Sequence, residues 1–252
     1  MAQDLIVERH GHVFKIIFNR PSKRNALTRA MFRGLIEAIE EADRDRGVNA
    51  IMLSGSSGIF SAGTDIPDFV AQMRAGPDLA VFDFVKAMVI CDTPIVAAVE
   101  GLAVGLGTTM LFHCDLVYVA PGATFLMPFI DMGVVPDAGS TLLVPRRCGM
   151  ARASELLLLG NRRFGSEDAV RFGIANAVVS ADSLFSHAMR QAEHLATRPL
   201  DALRAARRLM RGDSGEIIAQ MEAEREAFRA ALETEEARAA FQTFLKSKTA
   251  AV

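Results

Sequence analysis

The stretch 94–115, PIVAAVEGLAVGLGTTMLFHCD, decides the fold of this 252-residue chain. It opens with the apolar run Ile95–Val99, which is typical of a strand buried on both faces. Three glycines follow in close succession before a helical pattern begins: Gly101, Gly105 and Gly107. A glycine-rich turn between a strand and a helix leaves unpaired backbone N–H groups at the helix start. Such groups attract negative charge, including charge that develops on a substrate oxygen during a reaction.

The composition narrows the class of protein. Half of the residues are hydrophobic, which is enough for a sizeable core, and the net charge of -2 gives no electrostatic argument for binding nucleic acid or an anionic membrane. The first residues lack the basic and apolar regions of a signal peptide, and no apolar run reaches the length of a membrane helix. The three cysteines have no CxxC spacing, and the five histidines have no metal-ligand spacing. These features predict a cytoplasmic protein without a metal.

Strand and helix patterns alternate up to Gly149, and the chain beyond it is almost wholly helical. Thr28 is placed to cap a helix that runs to about Arg46. The apolar patterns of strands occur at 5–7, 13–18, 49–54, 114–119 with an extension at 123–125, and 177–179. This order predicts a βα core followed by a helical C-terminal piece.

The glycine stretch has two interpretations from its residues alone. A nucleotide cradle is weakly supported, because GxGxxG is absent and no GK[ST] follows. Tight packing of the strand against the helix explains the glycines without a ligand. A second strand-to-helix junction lies at 60–65, where Gly63 would leave the N–H of Thr64 exposed and Asp65 could cap the helix. Two such N–H groups directed at one point would form an oxyanion hole.

Several segments together resemble the crotonase, or enoyl-CoA hydratase/isomerase, superfamily, and the pattern is most similar to its Δ3,Δ2-enoyl-CoA isomerase branch. They span most of the chain in the family's order and spacing. These segments are PSKRNALT (21–28), FSAGTDI (60–66), EGLAVGLGTTM (100–110), CDLVYV (114–119), MGVVPDAGSTLLVPRRCG (132–149) and ASELLLLGNRRFGSEDAVRFGIANAVV (153–179).

The resemblance implies an α/β fold: a crotonase-like spiral of ββα turns over residues 1–198 and a helical trimerisation region over 199–252. It implies a homotrimer or hexamer that binds an acyl-CoA thioester, with coenzyme A present only as part of that substrate. The family polarises the thioester carbonyl between two backbone N–H groups, which fall on Thr64 and Leu106. An enolate oxygen carries more charge than the carbonyl, so fixed donors favour the transition state.

The resemblance also implies a substrate-binding set. The CoA nucleotide and pantetheine would lie along Arg24, Ala26, Leu27, Ala62, Asp65 and Ile66. Further positions around the thioester and acyl group are Gly105, Thr109 and Phe129. Phe241 and Lys246 resemble the residues that close the acyl or CoA pocket.

Departures from the family pattern decide the predicted reaction. Hydratases of the family use two glutamates to activate water, and this chain has Thr109 and Phe129 at those positions. One acid remains, Asp137, which resembles the position where several enoyl-CoA isomerases carry an acid. The family's aromatic dehalogenases carry a nucleophilic aspartate there too, but they need a histidine where this chain has Phe82.

Asp137 itself has two interpretations. It could cap the helix that follows Pro136, which would lower its pKa. It could instead be a base whose pKa is raised by the apolar residues Phe125, Met127 and Phe129. We expect an isomerase that converts 3-enoyl-CoA to 2-enoyl-CoA with Asp137 as acid and base. The alternatives are a hydratase-like or thioester-cleaving enzyme that recruits water differently, and an acyl-CoA-binding subunit without chemistry.

Overall fold

The computed structural model of the protein describes residues 4–75 and 80–249. Within these ranges the strands are β1 (Leu5–His10), β2 (Val13–Phe18), β3 (Ala50–Gly55), β4 (Ile95–Val99), β5 (Leu102–Val104), β6 (Leu116–Val119), β7 (Thr124–Leu126), β8 (Phe164–Gly165) and β9 (Ala177–Val178). The α-helices are α1 (Arg29–Arg44), α2 (Ile66–Ala75), α3 (Ala80–Ile90), α4 (Leu106–Thr109), α5 (Ser140–Cys148), α6 (Met150–Leu158), α7 (Ser166–Arg171), α8 (Ala181–Ala196), α9 (Leu200–Arg211), α10 (Ser214–Leu232) and α11 (Glu235–Thr249). Short 3-10 helices lie at Pro21–Lys23, Met110–His113 and Ile130–Met132.

The strands form two sheets that the chain visits in turn. The larger sheet has the order β1-β2-β3-β4-β6-β9, and the smaller has the order β5-β7-β8. β1 runs antiparallel to β2, and the remaining pairs of the larger sheet are parallel. The chain passes from β4 in the larger sheet to β5 in the smaller, and then from β6 to β7. This repetition produces the spiral that the family resemblance implies.

The segment 123–125 does not extend β6, and that prediction is wrong. Its residues belong to β7, which pairs parallel to β5 in the smaller sheet, with Leu102 opposite Thr124. The turn at Gly122, with φ of +77°, redirects the chain between the two sheets. A short apolar run shows that a strand is buried but not which sheet it joins.

Helices cover both faces of the larger sheet. Side chains alternate along β3, so Ile51 and Leu53 belong to the core shared with α1 and α3, whereas Met52 belongs to a cluster with α8. Thr28 caps α1 as predicted, because its hydroxyl accepts the Met31 N–H at 3.3 Å. The predicted alternation of strands and helices therefore gives a layered α/β core.

Arginines of α9 anchor the C-terminal helices to the start of the larger sheet's strands. The Arg207 side chain is 6% exposed and pairs with both carboxylate oxygens of Asp115, at 2.9 and 2.8 Å. Asp115 also accepts the Ile95 N–H at 2.8 Å. One carboxylate therefore joins α9 to the first residue of β4.

The last two helices pack back onto the rest of the chain. The Phe69 ring of α2 lies 6.0 Å from that of Phe228 on α10 and 6.1 Å from that of Phe241 on α11. Residues on both sides of the predicted boundary at 198/199 thus share one core, and the boundary and the trimerisation role of 199–252 stay predictions. In the part of the chain that the structure describes, no helix has both the length and the apolarity needed to cross a membrane.

Candidate active site

The first candidate donor, Thr64, lies opposite Leu27 in an isolated parallel bridge. The Leu27 N–H donates to Gly63 O at 2.8 Å, and the Asp65 N–H donates to Leu27 O at 2.9 Å. Because successive peptide groups of an extended chain face opposite sides, the Thr64 N–H is directed away from this bridge. Among the described residues, no backbone carbonyl accepts a hydrogen bond from it.

The second candidate donor, Leu106, is the first residue of α4. The N–H groups of a first turn have no partner within the helix, and Gly105 precedes it with φ of +53°. The two turns touch, because a Cβ placed on Gly63 would lie 3.4 Å from the Leu106 nitrogen and only 2.3 Å from Val104 O. Only glycine at 63 lets the Thr64 and Leu106 turns approach this closely.

A buried carboxyl lies one helical turn from Leu106. Thr109, at the other end of α4, donates its hydroxyl to Asp137 Oδ1 at 3.4 Å. Residues three apart on a helix share a face, so Asp137 lies on the Leu106 side of α4. Its side chain is buried, and burial, together with the nearby Glu224 carboxylate, raises the pKa of Asp137 from 3.8 to about 7 in spite of the Thr109 hydrogen bond.

Asp137 does not cap α5, so the capping interpretation of its carboxylate is wrong. The free N–H groups at the start of α5 bond to Glu224 instead: Gly139 N–H to Oε2 at 2.6 Å and Thr141 N–H to Oε1 at 2.9 Å. Left-handed backbone at Ala138 (φ +64°) turns the chain between Asp137 and the helix. The Asp137 carboxyl therefore has no bond to the N–H groups at the start of α5 among the described residues.

Glu224 is a site residue that the sequence does not reveal. It lies on α10 at a separation of 85 residues from its partner Gly139, and no local pattern links them. The glutamates of α10 look alike in the sequence, and only burial distinguishes Glu224, which is 3% exposed.

The segments predicted to bind CoA, 24–27 and 62–66, lie side by side. The Ala62 N–H donates to Arg24 O at 2.9 Å, and the Leu27–Thr64 bridge continues the pairing. Ala26 and Leu27 are buried, whereas Arg24 is exposed and Ala62 and Ile66 are half-buried. The pairing thus joins the predicted CoA path directly to the Thr64 donor.

The Asp65 side chain is bonded within the protein. Its carboxylate pairs with Arg20 at 2.6 Å and accepts the Asp68 N–H at 3.0 Å. It therefore caps α2, as the sequence predicts. These bonds give Asp65 a role in shaping the site, while its predicted contact with CoA stays a prediction.

The remaining predicted positions differ in burial. Phe129 is buried, and Phe125 and Met127 are fully buried. Phe241 packs on α2, which begins beside the Thr64 turn, whereas Lys246 is exposed on the same helix α11. Among the described residues, no three His, Cys, Asp or Glu side chains form a group that could hold a metal ion.

Comparison with known proteins gives consistent matches. A sequence model of the family described as enoyl-CoA hydratase/isomerase matches residues 8–251. The chain is 31% identical to the 1,2-epoxyphenylacetyl-CoA isomerase of Escherichia coli (strain K12), covering 94% of this chain and 93% of that protein. It is 32% identical to a probable enoyl-CoA hydratase of Rhizobium meliloti (strain 1021), covering 98% and 97%. The crystal structure of an enoyl-CoA hydratase/isomerase from Pseudoalteromonas atlantica T6c superposes with a TM-score of 0.92 at 34% identity, covering 97% of this chain and 98% of that one.

Proposed function

Because the chain belongs to the enoyl-CoA hydratase/isomerase family, we propose that it converts 3-enoyl-CoA to 2-enoyl-CoA. Similarity alone does not choose the reaction, since an isomerase and a probable hydratase match almost equally, at 31% and 32% identity. The choice therefore depends on the acids that the site contains.

One observation supports isomerisation above the other reactions: the buried carboxyl of Asp137 bonds to Thr109 on α4 and has a pKa of about 7. A group with this pKa accepts and returns a proton near neutral pH with similar ease. The positions where family hydratases carry glutamates are Thr109 and Phe129, and neither side chain is an acid. One carboxyl is enough for isomerisation, because the same proton leaves one carbon and returns to another.

In the proposed reaction the Asp137 carboxylate takes the C2 proton of the 3-enoyl thioester. The electrons of the C2–H bond form a C1–C2 double bond, and the carbonyl electrons move onto the thioester oxygen. When the carbonyl re-forms, the double bonds shift so that C2=C3 replaces C3=C4, and C4 takes the proton back from Asp137. No atom is gained or lost.

The Thr64 and Leu106 N–H groups are the proposed donors to the thioester oxygen. The charge on that oxygen grows as the enolate forms, so donors fixed in advance stabilise the transition state more than the substrate. Removal of one such donor costs about 3 to 4 kcal/mol in comparable sites. Gly63 contributes by allowing the two turns to meet.

The CoA part of the substrate is proposed to follow the paired segments 24–27 and 62–66. Phe241 and Lys246 on α11 are proposed to close the pocket, since Phe241 packs on α2 beside this path. We further propose a cytoplasmic enzyme assembled as a homotrimer or hexamer.

The test is incubation with 2-enoyl-, 3-enoyl- and saturated acyl-CoA, followed by absorbance and mass measurement. We expect 3-enoyl-CoA to gain the absorbance of a conjugated thioester at unchanged mass. Asp137→Asn should slow this by at least about a hundredfold, the usual scale for loss of a general base. Asp131→Asn, the same change at an exposed position nearby, should leave the rate close to parental.

Other products would identify the alternatives. A mass gain of one water would indicate a hydratase, and free CoA would indicate a thioester hydrolase. Tight binding without conversion would indicate an acyl-CoA-binding subunit. Full isomerase activity in Asp137→Asn would reject the mechanism even if the reaction is right.

A further inference from the structure

Glu224 accepts more hydrogen bonds at the start of α5 than a cap requires. In addition to the Gly139 and Thr141 N–H groups, it accepts the Thr141 hydroxyl at 2.5 Å. The hydroxyl donates here, because a carboxylate oxygen only accepts, and Thr141 Oγ1 in turn accepts from Gln220 Nε2 at 2.9 Å. Burial raises the pKa of Glu224, and the three donors directed at this one side chain oppose that effect by favouring its negatively charged form.

The turn that Glu224 holds is the one that presents Asp137. Ala138 has left-handed backbone with φ of +64°, which is unfavourable for a residue other than glycine. Its carbonyl accepts the His113 Nε2–H at 2.8 Å, while Glu224 bonds the next N–H, that of Gly139. Bonds from two different elements thus keep this turn in place and fix the direction of the Asp137 side chain.

The charges around Asp137 are few. Thr109 on α4 is neutral, and burial, helped by nearby arginines, lowers the pKa of His113 to about 4, so that its ring is uncharged at neutral pH. Arg225, next to Glu224 on α10, lies over the Phe82 ring. Of the described residues, Glu224 is the acidic group whose proximity raises the pKa of Asp137, in addition to burial.

We propose that Glu224 is a positioning residue for this reaction: by accepting the Gly139 and Thr141 N–H groups it fixes the 137–141 turn, and it brings a second acidic side chain close to the Asp137 carboxyl. The inference rests on the proposed function, in which Asp137 moves the proton. Glu224 is itself bonded to the backbone of α5, so it acts through Asp137 without contacting the substrate.

The test compares Glu224→Gln, which keeps the size and removes the charge, with Glu226→Gln, the same change at an exposed position of α10. Two readouts are needed: the pH dependence of kcat/KM, and the titration of Asp137 in the substrate-free protein. The second uses 13C NMR of aspartate side-chain carboxyls, with the Asp137 signal assigned from its absence in Asp137→Asn.

We expect the Asp137 titration midpoint, and with it the acid limb of kcat/KM, to move to lower pH in Glu224→Gln by about half a pH unit or more. The plateau kcat should fall several-fold with KM nearly unchanged, because a weaker base transfers protons more slowly. Glu226→Gln should match the parent in both readouts. If Glu224→Gln folds and its Asp137 midpoint equals that of the parent, the inference is overturned, even if the variant is less stable than the parent.

Glu224→Asp tests the same inference in a variant that keeps the charge. Its shorter side chain cannot reach both N–H groups of α5, so kcat should fall while the Asp137 midpoint stays close to parental. Parental kcat in this variant would contradict the positioning role. The NMR titration needs no substrate, so it is independent of the reaction. If the parent protein fails to isomerise 3-enoyl-CoA but the Asp137 midpoint moves in Glu224→Gln, the proposed function alone is rejected.

Discussion

Replacing Asp137 with asparagine should change how the stability of the protein depends on pH. The folded chain keeps the Asp137 proton up to a pKa of about 7, whereas the ordinary pKa of this carboxyl is 3.8. Between these values the unfolded chain has released a proton that the folded chain still holds. The free energy of unfolding of the parent therefore falls as the pH rises through this window.

The size of the effect follows from the width of the window. About three pH units at about 1.4 kcal/mol each give a penalty of about 4 kcal/mol once the pH exceeds 7. Asparagine has no proton to release, so the variant avoids this penalty. Relative to the parent, its stability should rise by about 2 to 3 kcal/mol between pH 5 and pH 8, since part of the window lies below pH 5.

Urea unfolding at several pH values measures this difference. The low pKa of buried His113 also affects stability in acid, but it does so in both proteins and cancels from the comparison. Asp131→Asn, at an exposed position, should differ from the parent by no more than about 0.5 kcal/mol at any pH. If Asp137→Asn shows the same difference from the parent at pH 5 and pH 8, the folded chain does not hold Asp137 protonated, and the argument for its chemistry fails.

Three further predictions concern the donors and the assembly. Leu106→Pro should fold, because proline is favoured at the first position of a helix. It should nonetheless lose nearly all turnover, because proline has no backbone N–H to donate. Leu106→Ala keeps the N–H, and its turnover should stay within about tenfold of the parent. Parental turnover in the proline variant would place the second donor elsewhere. Gly63→Ala should lose stability and activity together, because its Cβ would meet Val104 O, whereas Gly11→Ala, with φ of +58° but open space, should lose stability alone. Equal activity in these two glycine variants would show that the Gly63 contact does not matter to the reaction. Light scattering should give a trimer or a multiple of three, and a stable monomer would contradict the proposed assembly.

Local sequence signals predict the elements that depend on neighbouring residues. Thr28 caps α1 and Asp65 caps α2 because a cap and its partner N–H groups lie within three residues of each other. The glycines at 63 and 105 mark the two turns for the same reason, since the unusual backbone and the residue that permits it coincide. The alternation of such segments along the chain predicts an α/β core, and the spiral order comes from the family resemblance.

Local sequence signals do not predict contacts between residues that lie far apart in the sequence. The sequence places Asp137 beside a helix start and makes capping the simple interpretation, but the cap comes from Glu224 on a distant helix. The same limit explains the error at 123–125, because the choice between two sheets depends on which strand lies alongside. Hydrogen-bond partners far apart in sequence carry no local signal, and both differences are of this type.

The origin of Glu224 in α10 has a consequence for how the enzyme is made. The ribosome completes the N–H donors at 64 and 106 and the carboxyl at 137 well before it reaches 224. During synthesis the chain can form its sheets first, since domains fold as they emerge. The proposed proton-transfer group, Asp137, then gains its neighbour Glu224 only when the last helices dock. A transcript cut short between codons 137 and 224 would thus encode a chain with every proposed reacting group and none of the support that α10 gives them.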